Sequence, residues 1–333
     1  MQRIGIVGAG TMGGAHAGSY SGIQNADVVA IADIRPEVAA GLAAHYGARS
    51  FPGIDEMLAG VDLDVVDVCV PTPWHLECIR AAAKAGKHVV TEKPLARTLD
   101  ECRESIRVCE EAGVTLFVAH VLRYFPEFVS MRETVESGRI GKPVTVRTTR
   151  AGGFPVAWEN WYANFDWSGG VIMDLIIHDF DWILWTFGPA ERVFAKGLID
   201  SGLKETDYSL VTIRLKSGVI AHVEGSWARP SGFEVKVEVA GDGGLLNFDS
   251  NDSVPLFINR KAGEGVADGV SVPSSPLDAS PYALELEHFL DCLETGRKPD
   301  ISPQDGMNAV ELALAAIESI KTGKPVTVSG EAA

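Results

Sequence analysis

The sequence predicts an α/β protein in two parts: an N-terminal doubly wound parallel sheet, then an α/β domain with a large open, mostly antiparallel sheet. Three observations carry this. The first ~120 residues alternate β-branched runs (RIGIVG, ADVVAIAD, DVVDVCVP, KHVVTEKP, VTLFVAH) with alanine-rich amphipathic stretches at Pro36–Tyr46, Pro73–Ala85 and Thr98–Ala112. Strands alternating with helices make βαβ units and a parallel sheet covered on both faces. After His120 the pattern changes to strand-like runs with few helices between them, several alternating polar and apolar residues as a half-buried antiparallel sheet does. The 333 residues fit two domains, here 1–122 and 123–333.

Helices are predicted over 124–137, ending at Gly138, and near 170–186. Strands follow at VFAKGLI, YSLVTIRL, GVIAHVEGSW, FEVKVEVA, LLNFDS and PLFINR. Residues 262–281, rich in Gly, Ser, Asp and Pro, read as a long loop. Helices over 281–296 and 303–322 close the chain and are expected to pack back toward the cleft. They stop at TGRKP and TGKPV, each a Gly-then-Pro signal.

Composition narrows the function. Forty-five acids against twenty-nine bases leave a formal charge of −16. Nucleic-acid or anionic-membrane binding needs a basic face, so neither partner is expected. The five cysteines, Cys69, Cys78, Cys102, Cys109 and Cys292, contain no CxxC pair and suit a reduced, cytoplasmic setting. The chain enters a strand directly after Met1-Gln2-Arg3 and has no apolar run of ~18–20 residues, so neither a signal peptide nor a membrane span is expected.

The motif GAGTMG, from Gly8 through Gly10, Thr11 and Met12 to Gly13, lies between a strand and a helix start. A dinucleotide needs this arrangement: one glycine for the tight turn, one for close approach of the pyrophosphate, one for helix–strand packing. The helix N-terminus then offers free N–H groups to the phosphates. Asp33 follows twenty residues after Gly13 at the end of a second strand, where a carboxylate accepts the adenosine ribose hydroxyls. It repels a 2′-phosphate, so NAD is expected rather than NADP. Arg35 could stack on adenine or meet such a phosphate. Asp33 is equally placed to cap the helix starting at Pro36.

Two segments carry candidate chemistry. Thr91–Pro94, TEKP, sits at a strand end, where doubly wound sheets bind ligands. Glu92 and Lys93 should face the cofactor. Lys93 could stabilise a developing alkoxide, and its bond to Pro94 is a candidate for cis. The second is SGGVIMDLIIHDFDWILWTFG, a nearly all-apolar helix that should be buried. Asp174, His178 and Asp181 fall at i, i+4 and i+7, on one stripe. Ionisable groups there are costly unless they line a polar cavity. Asp179 faces elsewhere and reads as structural. Asp and His at i,i+4 also suit a metal, but a third ligand is lacking and no metal is expected.

With these residues in place, the chain resembles the glucose–fructose oxidoreductase / inositol dehydrogenase (Gfo/Idh/MocA) family. The matching segments are GAGTMG, CVPTPWHLE, TEKP, AHVLRYFPEF with GRIGKP, and SGG…D…HDFD. The resemblance implies a Rossmann domain followed by an open-sheet α/β domain, with homodimers or homotetramers forming through that sheet. It implies NAD-dependent oxidation of a secondary hydroxyl on a sugar or polyol. His178 would be the general base, its ring ordinarily titrating near ~6.5. Lys93 would polarise the oxygen, and Asp174 would bind a substrate hydroxyl. Pro71, Thr72, His75, Glu92 and His120 would border the cofactor, and Arg123 the pocket. Upstream, Asn160 could hydrogen-bond substrate hydroxyls. Trp158, Trp161 and Tyr162 could stack on a pyranose or simply anchor their loop. Tyr282 could reach the pocket. Reduction of a non-sugar carbonyl or imine, NAD-dependent glycoside cleavage, and non-catalytic NAD binding remain as alternatives on this scaffold.

Overall fold

The computed structural model describes residues 1–200, 202, 206–252 and 280–329. The expected strand PLFINR and the loop 262–281, apart from its last two residues, lie outside them. The described chain divides into two compact units, 1–124 with 280–307 and 125–252 with 308–329. No helix among the described residues is long and apolar enough to cross a membrane.

The first unit holds a six-stranded sheet: β1 (Gln2–Val7), β2 (Ala26–Ala32), β3 (Arg49–Phe51), β4 (Val65–Val68), β5 (His88–Glu92) and β6 (Leu116–Ala119). All pairs are parallel, in the order β3-β2-β1-β4-β5-β6. The crossovers contain α1 (Thr11–Tyr20), α2 (Pro36–Tyr46), α3 (Ile54–Gly60), α4 (His75–Lys84) and α5 (Leu99–Ala112). Each starts or stops where the local chemistry dictates. Pro36 opens α2 and Gly47 ends it at positive φ. Thr98 and Glu101 form a reciprocal capping box on α5. β3 is only three residues long, too short for an apolar pattern to announce it.

The order reverses between β1 and β4, so the carboxyl ends of these strands open a crevice for a ligand. The closing helix α10 (Pro281–Thr295) belongs to this unit, whose first stretch ends at Tyr124. Its Leu286, Phe289 and Leu290 are fully buried in one core with Ile4, Ile31 and Phe117. That apolar stripe completes the cover over α1 and β6, and burial at about 25 cal/mol per Å² outweighs chain order.

The second unit contains α6 (Pro126–Glu136), α7 (Phe165–Ser168), α8 (Gly170–Asp174), α9 (Ile177–Phe187) and most of α11 (Pro303–Thr322). Its sheet comprises β7 (Pro143–Gly153), β8 (Ala190–Leu198), β9 (Tyr208–Leu215), β10 (Ile220–Ser226), β11 (Ala228–Gly241), β12 (Gly244–Asp249) and β13 (Val326–Thr327). The order is β12-β11-β7-β10-β9-β8-β13, and every pair is antiparallel except β7 with β10. Along β9, Ser209, Val211, Ile213 and Leu215 are buried while Leu210 and Arg214 face out. A half-covered sheet produces this period of two. β7, central to the sheet, escaped sequence reading because PVTVRTTRAGG is too polar to look like an inner strand. Arg150 on it is buried against Asp179 of α9, Nε donating to Oδ2 at 2.6 Å.

Candidate active site

The turn after β1 is shaped by glycine. Gly8 has φ of +98°, and a methyl added there would lie 2.5 Å from the Cys69 carbonyl oxygen. At Gly13 the added methyl would lie 1.9 Å from the carbonyl oxygen of Gly8, so α1 packs directly on the turn. At Gly10 it would meet nothing within 4 Å. Two glycines are therefore demanded by the protein itself, and the third leaves backbone open at the N-terminus of α1. A dinucleotide pyrophosphate fits that cradle. Thr11 is exposed and Met12 half-buried at its edge.

Asp33, at the end of β2, is nearly buried and accepts from Ala9 N at 2.8 Å and from Arg35 N at 2.9 Å. The Arg35 guanidinium also grips both its oxygens, Nε to Oδ1 at 2.9 Å and Nη2 to Oδ2 at 2.8 Å. Burial alone would raise the Asp33 pKa, but Arg35 and the two backbone N–H groups hold it below the usual range. The α2 N-cap is Arg35, with no side-chain cap bond, so the capping role open to Asp33 is not the one it takes.

The turns after β4 and β5 lie beside this crevice. Pro71 precedes the short 3₁₀ turn Thr72–Trp74, where Thr72 is buried. His75 is 1% exposed, and its ring nitrogens face Val70 O at 2.9 Å and Pro94 O at 3.0 Å. Burial lowers its pKa, so a neutral ring donates to one of the two carbonyls. His75 thus ties the two turns together from inside.

Glu92 ends β5, and its Oε2 accepts from Lys93 N at 3.0 Å. The Lys93–Pro94 peptide is cis, and Lys93 is half-buried immediately past the strand. His120 follows β6 and is fully buried. Arg123, expected at the pocket, is engaged inside its own unit. Nη2 lies 3.3 Å from Asp305 Oδ1 at the start of α11, and Nη1 donates to Asp300 O at 3.3 Å. Tyr282 is buried in the first turn of α10.

Sequence reading passed over one cluster in this unit. His16 on α1 is fully buried, Nδ1 2.8 Å from Asp67 Oδ2 and Nε2 3.1 Å from Glu92 Oε1. The Cys69 thiol lies 3.4 Å from Asp67 Oδ1. The available signal was Asp67 itself, since a charged residue inside the apolar run DVVDVCV must find a partner. His16, Asp67 and Cys69 bring three donor atoms within 4.8 Å. Two atoms 2.8 Å apart are a hydrogen-bonded pair; ligands sharing one ion at ~2.0–2.3 Å stand further apart.

In the second unit, Asp174 and Asp181 are buried and His178 is half-buried. They do not share one continuous helix. The chain widens at Leu175–Ile176, where the Ile176 N–H reaches back five residues to Val171 O at 3.0 Å. Such a wide turn inserts a residue into the 3.6-residue period, so the simple i, i+4, i+7 stripe is corrected to two short helices with a bend between Asp174 and His178. Asp179 faces Arg150, as a structural residue would. Asn160 is exposed in a tight turn at φ of 50°. Trp161 is 9% exposed, stacked on Tyr162 at 4.0 Å, and Tyr162 meets Trp227 edge-on. These rings pack on one another and on Trp227.

The comparisons accord with this architecture. Residues 2–120 match the family model described as the oxidoreductase family with NAD-binding Rossmann fold. Residues 128–247 match the GFO/IDH/MocA C-terminal domain. The chain is 30% identical to inositol 2-dehydrogenase of Rhizobium meliloti, covering 98% of this chain and 99% of that protein. It is also 30% identical to myo-inositol 2-dehydrogenase of Thermotoga maritima, over 97% and 98%. The solved structure of GenD2 from gentamicin A biosynthesis, in complex with NAD, superposes with a TM-score of 0.88 at 27% identity, over 98% of this chain and 96% of that one. With a glycine turn opening a parallel six-stranded sheet and a mixed sheet following it, the chain belongs to the Gfo/Idh/MocA family of NAD-binding oxidoreductases.

Proposed function

We propose that this protein is an NAD-dependent dehydrogenase that oxidises a secondary hydroxyl of an inositol-like polyol or a sugar. The observation that carries it is the first unit's layout: an open glycine cradle after β1, a buried carboxylate at the end of β2, and Lys93 immediately after β5. In a doubly wound sheet the first two features suit the adenosine and pyrophosphate, leaving the ends of β4 and β5 for the nicotinamide half. Full-length similarity to two inositol dehydrogenases supports the substrate class.

In this reading His178 takes the hydroxyl proton, Lys93 donates a hydrogen bond to the same oxygen, and Asp174 orients the substrate through a neighbouring hydroxyl. NAD, when bound, accepts the hydride at its nicotinamide ring. The Asp33 carboxylate favours NAD over NADP. The outward face of the seven-stranded sheet, with Phe194, Leu198 and Leu210 exposed, supports a homodimer or homotetramer. Five free cysteines suit a cytoplasmic setting.

The test is NADH formation from NAD⁺ across a panel of inositols, sugars and sugar acids. Turnover is expected with at least one cyclic polyol or sugar. Lys93→Met and His178→Asn should each lower kcat by about 10²–10⁴-fold while remaining folded. A folded protein without turnover on any of these substrates overturns the reading.

A further inference from the structure

We propose that His16 is a positioning residue whose imidazolium neutralises Asp67, so that Glu92 is held as a fixed anion at the nicotinamide end of the crevice and favours the oxidised, cationic cofactor over the reduced one. This rests on the dehydrogenase reading above. Geometry comes first. The two ring nitrogens of His16 face two different carboxylates, Asp67 at 2.8 Å and Glu92 at 3.1 Å. The Asp67 contact is a hydrogen bond; the Glu92 contact is an ion contact less well aligned. A neutral imidazole has one N–H and would turn a lone pair toward the other carboxylate. A ring protonated on both nitrogens satisfies both sides.

The surroundings keep the other groups in fixed states. Asp67 comes from β4 and Cys69 from the residue just past it, Glu92 from β5 and Tyr20 from α1 itself, while Glu285 of α10 acts on Tyr20 and Lys93 on Glu92. Burial pushes the Cys69 thiol and the Tyr20 hydroxyl up, so both stay neutral. Burial would lower His16, but Asp67 and its neighbours raise it well above an ordinary histidine. Burial would raise Glu92, but His16 and Lys93 lower it. Asp67, Glu92 and the imidazolium together carry a single negative charge, which the Lys93 ammonium meets from the neighbouring turn. Glu92 Oε2 is also held by Lys93 N, so that charge ends at the turn carrying Lys93. Nicotinamide is cationic when oxidised and neutral when reduced. A buried anion near its half of the crevice therefore binds NAD⁺ more tightly relative to NADH.

Calorimetric titration of the full chain with NAD⁺ and with NADH, from about pH 6 to about pH 8, tests this. In the wild type the ratio of the two affinities should stay constant with pH. In His16→Gln the two buried carboxylates lose their shared cation and repel each other, so a proton held between them leaves as pH rises. The preference for NAD⁺ should then climb with pH by about threefold to tenfold. In the double variant His16→Gln/Asp67→Asn a single carboxylate remains, and the flat profile should return. A merely structural histidine would weaken both cofactors in parallel at every pH. That result, or a flat and wild-type ratio in His16→Gln, overturns the inference and leaves the dehydrogenase reading standing. If His16→Gln does not fold, Asp67→Asn decides: the cluster becomes neutral, and an unchanged NAD⁺/NADH ratio overturns the inference. A wild type binding neither nucleotide overturns the dehydrogenase reading and this inference with it.

Discussion

Arg35 holds Asp33 by both carboxylate oxygens, its Nε 2.9 Å from Oδ1 and its Nη2 2.8 Å from Oδ2. The acceptor positions that an adenosine ribose would use are thus filled by an arginine two residues along the chain. Arg35 is 30% exposed on its side chain and can swing out, whereas Asp33 is fixed by Ala9 N from the glycine turn. Asp33→Ser should therefore lower kcat/KM for NAD by about ten- to a hundredfold, the scale of a lost charge-assisted bond. It should also free Arg35 for a 2′-phosphate, raising the NADP-to-NAD ratio of kcat/KM. Steady-state kinetics with both cofactors checks this; a ratio that does not move would contradict it.

Gly13→Ala should remove dinucleotide binding. The new methyl would sit 1.9 Å from Gly8 O, a backbone atom, so α1 and the turn must separate. Gly10→Ala, with nothing within 4 Å, should leave stability unchanged and weaken the cofactor alone. Melting temperatures paired with NAD titrations would distinguish the two variants; equal melting temperatures would refute the assignment.

The Arg150–Asp179 pair should be a strong stability determinant of the second unit. Both side chains are nearly inaccessible, 3% and 0% exposed, at 2.6 Å. Arg150→Met leaves an uncompensated buried carboxylate and should cost about 3–5 kcal/mol. The double variant Arg150→Met/Asp179→Leu should recover much of that loss. Urea denaturation of the three proteins gives the comparison, and a double variant no more stable than the single would contradict it.

Acid should destabilise the first unit through Asp33 and Asp305. Burial raises both, but Arg35 lowers the first and Arg123 the second, and the net shift is downward. A carboxylate with a folded pKa below its unfolded value contributes stability above about pH 4, and loses it as pH falls through the folded pKa. Arg123→Met removes the foremost of the groups that lower Asp305, leaving its Ser302 hydrogen bonds. It should lower the melting temperature near neutrality and make its decline below about pH 4 shallower. Parallel acid limbs for variant and wild type would count against the assignment.

Local chemistry written along the chain determined the first five apolar strand runs, the glycine turn, the position of Asp33, and the helices opened by Pro36 or capped by Thr98. Each depends on neighbours within a few residues, so one sequence sufficed to read them. Tertiary structure alone decided the rest. β7 is an inner strand because it pairs with β10 and β11, and its Arg150 finds Asp179 twenty-nine residues away. Arg123 turns to Asp305 and the Asp300 carbonyl, across 177 residues in the latter case. The bend between Asp174 and His178 comes where the Val171 carbonyl accepts from a donor five residues on as well as from the one four residues on. His16 matters because α1 lays it between the ends of β4 and β5. Burying a charge demands a partner, but only the folded chain selects which distant residue serves.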